Sequence, residues 1–175
     1  MTAKWTDFVS GAVLEAAQLN DVLDNFQDIA IFNETQAQNT AGGTSTATTW
    51  TKRTLNTTIV NNIGATLTTS VIELVAGTYV VDAVSPFLAG AEVGIRLRNT
   101  TDSTTAIQGT NTYLNPTGIV GGYAQLNGLF TIAATKNFEL QYYVTSGRAT
   151  NGLGIQLNAT GVSETYSVIK IQRVA

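Results

Sequence analysis

The chain of 175 residues contains no cysteine and no histidine. Without cysteine there are no disulfides, no thiolate zinc sites and no cysteine nucleophile. Without histidine, the commonest general base and zinc ligand is missing, and with it the serine–histidine–aspartate triad. The acidic residues after residue 49 are scattered singly rather than paired. We therefore expect no cofactor, no metal site and no enzymatic activity.

Charge is also scarce, at 12% of the residues with a net charge of −3. A nucleic-acid-binding protein needs a basic stripe, so this composition argues against nucleic acid as a partner. No apolar run approaches the about 20 residues that span a bilayer, so we expect no membrane insertion. The first residues also lack the basic stretch and apolar core of a secretory signal.

Threonine is abundant, with 29 residues. Threonine is β-branched and favours pleated, half-buried surfaces, so the composition favours an all-β fold. Such a surface forms hydrogen bonds without strong charge.

Residues 1–34 differ from the rest of the chain, because they hold six of the twelve acidic residues and one basic residue. Apolar side chains recur there at spacings of three and four, which predicts a helix over about residues 15–32. Leu19 and Phe26 fall at one heptad core position, and Val22 and Ile29 at the other. Such a helix docks on its own domain, on a partner or on copies of itself.

Residues 35–49 contain no large apolar side chain, which predicts an extended linker. From Trp50 onward the apolar residues alternate with period two, and turn signals recur every ten or so residues. This pattern predicts a β domain over residues 50–175, an antiparallel sandwich or barrel. The predicted strands are 48–54, 56–60, 70–75, 77–87, 92–99, 104–109, 119–134, 137–145, 152–158 and 165–174.

The stretch WTDFVSGAVLEAAQLNDVLDNF, residues 5–26, resembles the opening of many small tailed-bacteriophage virion proteins. The resemblance is carried by Trp5, Gly11, Leu14, Ala16, Ala17, Leu19 and Asn20. A threonine usually precedes the alanine pair in those proteins as a helix cap, and here that position is Glu15, a poorer cap.

A second resemblance involves VIELVAGTYVVDAVSPF (71–87), FELQYYVTS (138–146) and YSVIKIQRV (166–174). These strands look like the trimeric jelly rolls of the tumour-necrosis-factor and complement type. The resemblance implies a homotrimer in which one sheet of each subunit faces the threefold axis. Aromatic residues buried only in that trimer would be Tyr79, Phe87, Phe130, Tyr142, Tyr143 and Tyr166.

Together the resemblances imply a structural protein on the virion surface, assembled in the host cytoplasm: a head fibre, spike, decoration protein or tail fibre. Residues 1–34 would attach it to capsid or tail proteins. The residues expected to anchor the chain or to form trimer contacts are Trp5, Phe8, Leu14, Leu19, Val22, Phe26 and Ile29.

Two alternatives belong to other functional classes. One is a host-recognition module that binds a cell-surface glycan through loops, with Tyr113, Asn115, Tyr123, Arg148 and Asn151 as its candidate residues. The other is a cellular cytokine-like or adhesin trimer, which the missing signal peptide and cysteines disfavour. The oxygen-rich stretch 99–103 carries one carboxylate, too few for a typical calcium site, and predicts an ordinary hairpin loop.

Overall fold

The computed structural model describes residues 28–174, which form an antiparallel sandwich of two β-sheets. The strands are β1 (Ile29–Gln36), β2 (Thr51–Lys52), β3 (Thr57–Asn61), β4 (Thr66–Thr68), β5 (Val71–Leu74), β6 (Gly77–Leu88), β7 (Ala91–Asn99), β8 (Thr104–Gln108), β9 (Thr112–Leu114), β10 (Gly121–Ile132), β11 (Lys136–Val144) and β12 (Glu164–Arg173). The described residues contain no helix.

One sheet has five strands in the order β10-β6-β12-β1-β3. The other has seven strands, with the path β4-β5-β11-β7-β8; β2 pairs with β11, and β9 pairs with β7. Consecutive strands lie in different sheets at several points, as when β6 in the first sheet is followed by β7 in the second. This arrangement confirms the predicted antiparallel sandwich.

The core lies between the two sheets and is filled from strands whose side chains alternate inward and outward. On β6, for example, Tyr79, Val81 and Ala83 point inward, while Asp82 between them is exposed. Phe130 links the two layers, since its ring lies 5.7 Å from that of Tyr79 and 5.0 Å from that of Phe138.

The predicted helix over about residues 15–32 is wrong at its C-terminal end, because residues 29–32 belong to β1. β1 pairs with β12 on one side and with β3 on the other, so it is an interior strand of its sheet. Ala30 and Phe32 are fully buried in the core. The remainder of the predicted helix lies outside the described residues.

The predicted linker over residues 35–49 is also wrong, as is the predicted start of the β domain at residue 50. Residues 35–36 complete β1, and the following segment packs on the sandwich. Gly42 donates its backbone N–H to the carbonyl of Gly154, and Ser45 forms a β-bridge with Arg148. A Cβ at Gly42 would lie 2.5 Å from the carbonyl oxygen of Leu153, so only glycine permits this approach.

The strand predicted over residues 152–158 is absent, and that stretch is an irregular loop. Its backbone bonds instead to the segment after β1, since Leu153 donates to the carbonyl of Gly43. Gly154 adopts a φ of +135°, a conformation that interrupts a regular strand.

Candidate functional site

A groove crosses the outer face of the seven-stranded sheet, where β7, β9 and β11 meet the residue that precedes β2. Its volume is about 470 Å³. Its lining is predominantly apolar. We call it the aromatic groove, and it is lined by Trp50, Glu92, Val93, Gly94, Gln108, Asn111, Thr112, Tyr113 and Tyr143.

The floor of the groove is Gly94, which lies directly opposite Tyr143 in the ladder between β7 and β11. Outward-facing neighbours on β7 carry long side chains, such as Arg96, whereas position 94 carries none. A Cβ at this position would lie 3.1 Å from the amide oxygen of Asn111. The glycine therefore opens a depression in an otherwise covered sheet face.

The Trp50 ring is held from two sides. The guanidinium of Arg96 lies 4.1 Å from the centre of the Trp50 ring, and the Tyr143 ring lies 5.5 Å away at a tilt of 47°. Arg96 is fixed in turn, because its Nε and Nη2 both donate to Oε1 of Gln141, at 3.0 and 2.8 Å. A cation over an indole face is attractive, so the stack orders the tryptophan.

Polar groups sit around the apolar lining. Gln108 and Asn111 bring amides, which both donate and accept hydrogen bonds. Glu92 accepts a hydrogen bond from the Thr145 hydroxyl, and this bond is the main reason that the pKa of Glu92 is lowered. The groove therefore carries one carboxylate, ionised at neutral pH. Tyr113 stands at the rim with 63% of its surface exposed.

The outer face of the five-stranded sheet has a different character. In the β12–β6 ladder Val168 lies opposite Val84, and in the β6–β10 ladder Val80 lies opposite Leu129. Ile31 on β1 extends the same surface. We call Ile31, Val80, Val84, Leu129 and Val168 the aliphatic face. Leu129 is 60% exposed, and the other four are half-buried.

Polar side chains are interspersed with these residues, since Gln125 lies opposite Val84 and Gln172 opposite Val80, and one row between them is mostly polar. Asp82 on β6 lies opposite Lys170 on β12 and Asn127 on β10, and the Asn127 amide donates to the Asp82 carboxylate. The outer face of the five-stranded sheet thus mixes aliphatic and polar side chains in similar numbers. Outside the aromatic groove, the outer face of the seven-stranded sheet is polar. There Gln141 accepts a hydrogen bond from Arg96 and donates one to Glu139.

Of the predicted loop residues, only Tyr113 lies in the aromatic groove. Asn115 closes its own turn, since its Oδ1 accepts from the backbone N–H of Thr117 at 3.0 Å. Tyr123 lines a separate depression on the five-stranded sheet. Arg148 donates through Nε to Oδ1 of Asn151 at 2.9 Å, within the loop that packs on the segment after β1. The five candidates do not form one site.

Of the predicted anchor residues, Ile29 begins β1, opposite Gln172. The other six lie outside the described residues: Trp5, Phe8, Leu14, Leu19, Val22 and Phe26. No pattern in the sequence marks Trp50, Glu92 and Tyr143 as residues of one site. Glu92 and Tyr143 stand on β7 and β11, and Trp50 directly precedes β2, so only the pairing of β11 with β7 and with β2 brings them together.

The aromatic residues expected to be buried only in a trimer are mostly buried in the single chain. Tyr79, Phe87 and Tyr142 are at most 2% exposed and lie between the sheets. Tyr166 is covered by the segment after β1, since its hydroxyl donates to the Thr40 carbonyl at 2.6 Å. The assignment of these four to an intersubunit surface is wrong, because they point inward or lie under a packed loop.

The loop at 99–103 is closed by its own side chains. Asn99 donates through Nδ2 to Asp102 at 2.9 Å, and Lys136 Nζ lies 2.6 Å from the same carboxylate. Among residues 28–174, no group of three or more acidic side chains is placed to hold a metal ion. Over the same residues, no helix is long and apolar enough to cross a membrane.

No known family model matches the chain, and no curated protein sequence matches it. Solved structures do match. The globular domain of zebrafish complement 1qA shares 11% identity over 83% of this chain and 97% of that chain, with a TM-score of 0.54. Murine APRIL at pH 5.0 shares 7% identity over 82% of this chain and 98% of that chain, with a TM-score of 0.51. These similarities confirm a jelly roll of the tumour-necrosis-factor and complement type.

Proposed function

We propose that this chain is a homotrimeric virion surface protein of a tailed bacteriophage, a head fibre, spike or decoration protein, with its jelly roll as the exposed head. The role is structural and non-enzymatic. Since β1 begins at Ile29, the attachment to capsid or tail proteins falls to the residues before it.

The aliphatic face is the main structural support for the proposed homotrimer. Antiparallel sheets with one solvated face normally present polar side chains to water, as Arg96 and Gln141 do on the seven-stranded sheet outside the aromatic groove. Half-buried aliphatic side chains and the exposed Leu129, set among polar ones, fit a subunit interface, which as a whole is only about as apolar as the rest of a protein surface. Jelly rolls of the tumour-necrosis-factor and complement type assemble as trimers, so we assign this face to contacts between copies of the chain.

The virion assignment is supported by the N-terminal resemblance at residues 5–26 and by the threonine-rich, weakly charged composition of the head. The experiment is deletion of residues 2–27 from the gene of the phage that encodes the protein. We expect a folded head that is absent from purified particles. Particles that still carry the shortened protein would contradict attachment through this segment.

The trimer is tested by light scattering at micromolar concentration. We expect a mass close to three times the 18.5 kDa of one chain. Leu129→Asp and Val84→Lys place a charge on the aliphatic face and should give monomers that remain folded, because neither side chain is fully buried in one subunit. Thr66→Lys, exposed on β4, is the matched control and should remain trimeric. A monomeric unchanged chain would overturn the proposal.

The aromatic groove favours a second function, binding of a host-surface glycan. The groove lies on the opposite side of the sandwich from the aliphatic face, so a trimer formed through that face leaves the groove accessible. A structural head and a receptor-binding head are therefore compatible in one molecule. A cell-adsorption assay with the purified trimer tests this function: saturable binding supports it, and the absence of binding contradicts it.

A further inference from the structure

We propose that the aromatic groove binds a neutral pyranose, as a monosaccharide or at the end of a glycan chain. This inference rests on the second proposed function and gives it a site and a ligand class. It does not depend on the trimer or on a virion origin.

The groove has the size and composition of a small-molecule site. Such sites have volumes of about 300–1,000 Å³, a mostly apolar lining and a few polar groups that fix the ligand's orientation. Here the volume is about 470 Å³, and the polar groups are the amides of Gln108 and Asn111 and the carboxylate of Glu92. These groups accept and donate the hydrogen bonds that sugar hydroxyls need.

The aromatic residues match the shape of a pyranose. One face of such a ring carries C–H groups and is apolar, while its edge carries hydroxyls. Tyr113 offers an exposed ring of the same kind, apolar on its face and polar at its tip. Trp50 is already ordered by Arg96 and Tyr143, so little conformational entropy is lost when a ligand contacts it.

Charge selects a neutral sugar over an acidic one. Glu92 is the one charged residue among those that line the groove, and it repels a carboxylated ligand. The nearest guanidinium, that of Arg96, is stacked on Trp50 and donates to Gln141. An acidic sugar would thus meet a carboxylate and find the basic group already occupied.

The test uses the full chain with Trp5→Phe in every sample, which leaves Trp50 as the single tryptophan reporter. Trp50 fluorescence is titrated with glucose, galactose, mannose, rhamnose, N-acetylglucosamine and glucuronic acid, and calorimetry measures the same mixtures. We expect a saturable change with at least one neutral sugar and weaker binding of glucuronic acid.

Two variants locate the site. Tyr113→Ala removes an exposed stacking ring and should weaken affinity about tenfold or more. Gly94→Val fills the floor with a residue suited to a strand and should abolish binding. Leu157→Ala is the control, because Leu157 is 74% exposed and lies outside the groove.

The outcomes test separately whether the groove is the binding site and whether the ligand is a neutral sugar. Loss of binding in Tyr113→Ala with retention in Leu157→Ala supports the groove. Sugar binding that both groove variants retain would overturn the groove as the site and leave glycan binding standing. No binding of any neutral sugar by either method would overturn the ligand class, and cell adsorption would then decide whether the head still recognises a host.

Discussion

Nη2 of Arg53 lies 2.6 Å from the carboxylate of Glu34, and both side chains are shielded from solvent between the two sheets. Glu34 sits at a β-bulge of β1, where the register with β12 shifts. Arg53 also donates to the carbonyl of Leu153, and its guanidinium lies 5.5 Å from the Phe87 ring. Burial lowers the pKa of Arg53, and Glu34 opposes that shift. One ion pair thus joins β1, the second sheet and the 152–158 loop.

We predict that Glu34→Leu destabilises the protein by about 3–5 kcal/mol, because it leaves a buried guanidinium without its counter-charge. Arg53→Met should destabilise the protein by a comparable amount, because it leaves the buried Glu34 carboxylate without its counter-charge. The double variant Glu34→Leu/Arg53→Met should recover much of the loss, since replacing a whole buried pair with apolar groups is often neutral. Urea unfolding at one protein concentration measures all three.

The pair of Lys136 and Asp102 provides a matched control with the same 2.6 Å separation but with solvent reaching both side chains, which are 23% and 43% exposed. Exposed ion pairs contribute little to stability, so Lys136→Met should barely shift the urea midpoint. If Glu34→Leu shifts the midpoint no more than Lys136→Met does, burial of the Arg53 pair carries no special cost and the prediction fails.

We predict that a fragment of residues 28–175 folds and that one of residues 45–175 does not. The shorter fragment lacks β1, which lies between β12 and β3 and supplies Ala30 and Phe32 to the core. Its loss leaves Arg53 without Glu34 and opens an unpaired edge on β12. Amide dispersion in NMR spectra and cooperative urea unfolding distinguish the two fragments. Cooperative unfolding of residues 45–175 would contradict an integral role for β1.

The sequence predicted the long strands well and β1 badly, for a physical reason. β6, β11 and β12 show period-two patterns or apolar runs bounded by turns, which are local signals. In β1 the outward Ile29 and Ile31 are apolar while the inward Glu34 is charged, so the alternation is hidden. Side chains with spacings of three and four just before it made a helix the better local interpretation.

The aromatic groove could not be predicted from the sequence, for a different physical reason. The sequence predicts Tyr113 as a candidate glycan-binding loop residue, but its partners in the groove come from segments far apart in the chain. Gly94 faces Tyr143 only because β7 and β11 pair in one register, and a shift by one residue would turn each side chain to the other face. The register between strands that are distant in the chain cannot be inferred from composition or from the spacing of residues.

We predict that the protein loses stability in acid because of the Glu164 carboxylate. It accepts hydrogen bonds from the backbone N–H groups of Leu157, at 2.7 Å, and of Asn158 and Asn39, both at 3.1 Å. These bonds, that from Leu157 first, hold the pKa of Glu164 below its usual 4.5. Because the folded-state pKa is lower, the stabilisation is present above about pH 4.5 and is lost as pH falls through the folded value.

Glu164→Gln should therefore be less stable than the unchanged protein near neutral pH, and the difference should narrow as the solution is acidified below the usual glutamate pKa. Urea unfolding over a series of pH values measures the gap. A gap that stays constant with pH would show that the three hydrogen bonds do not depend on the charge of the carboxylate.

We predict a corresponding loss of stability at alkaline pH, which depends on Tyr166. Burial, with the nearby carboxylates of Glu164 and Glu34, raises the pKa of Tyr166 from 10.0 to about 12, although Arg53 opposes the shift. The unfolded chain ionises this phenol near pH 10 while the folded chain keeps it neutral. The contribution to stability is thus complete below about pH 10 and is lost as pH rises toward about 12.

Tyr166→Phe removes this alkaline loss together with the hydrogen bond to Thr40, which costs about 1 kcal/mol at neutral pH. The variant should be less stable than the unchanged protein below pH 10, and the gap should close or reverse as pH rises toward about 12. Tyr113→Phe removes an exposed phenol on the other sheet and should keep the alkaline decline of the unchanged protein. If Tyr166→Phe declines in parallel with that control, the buried phenol does not carry the alkaline sensitivity.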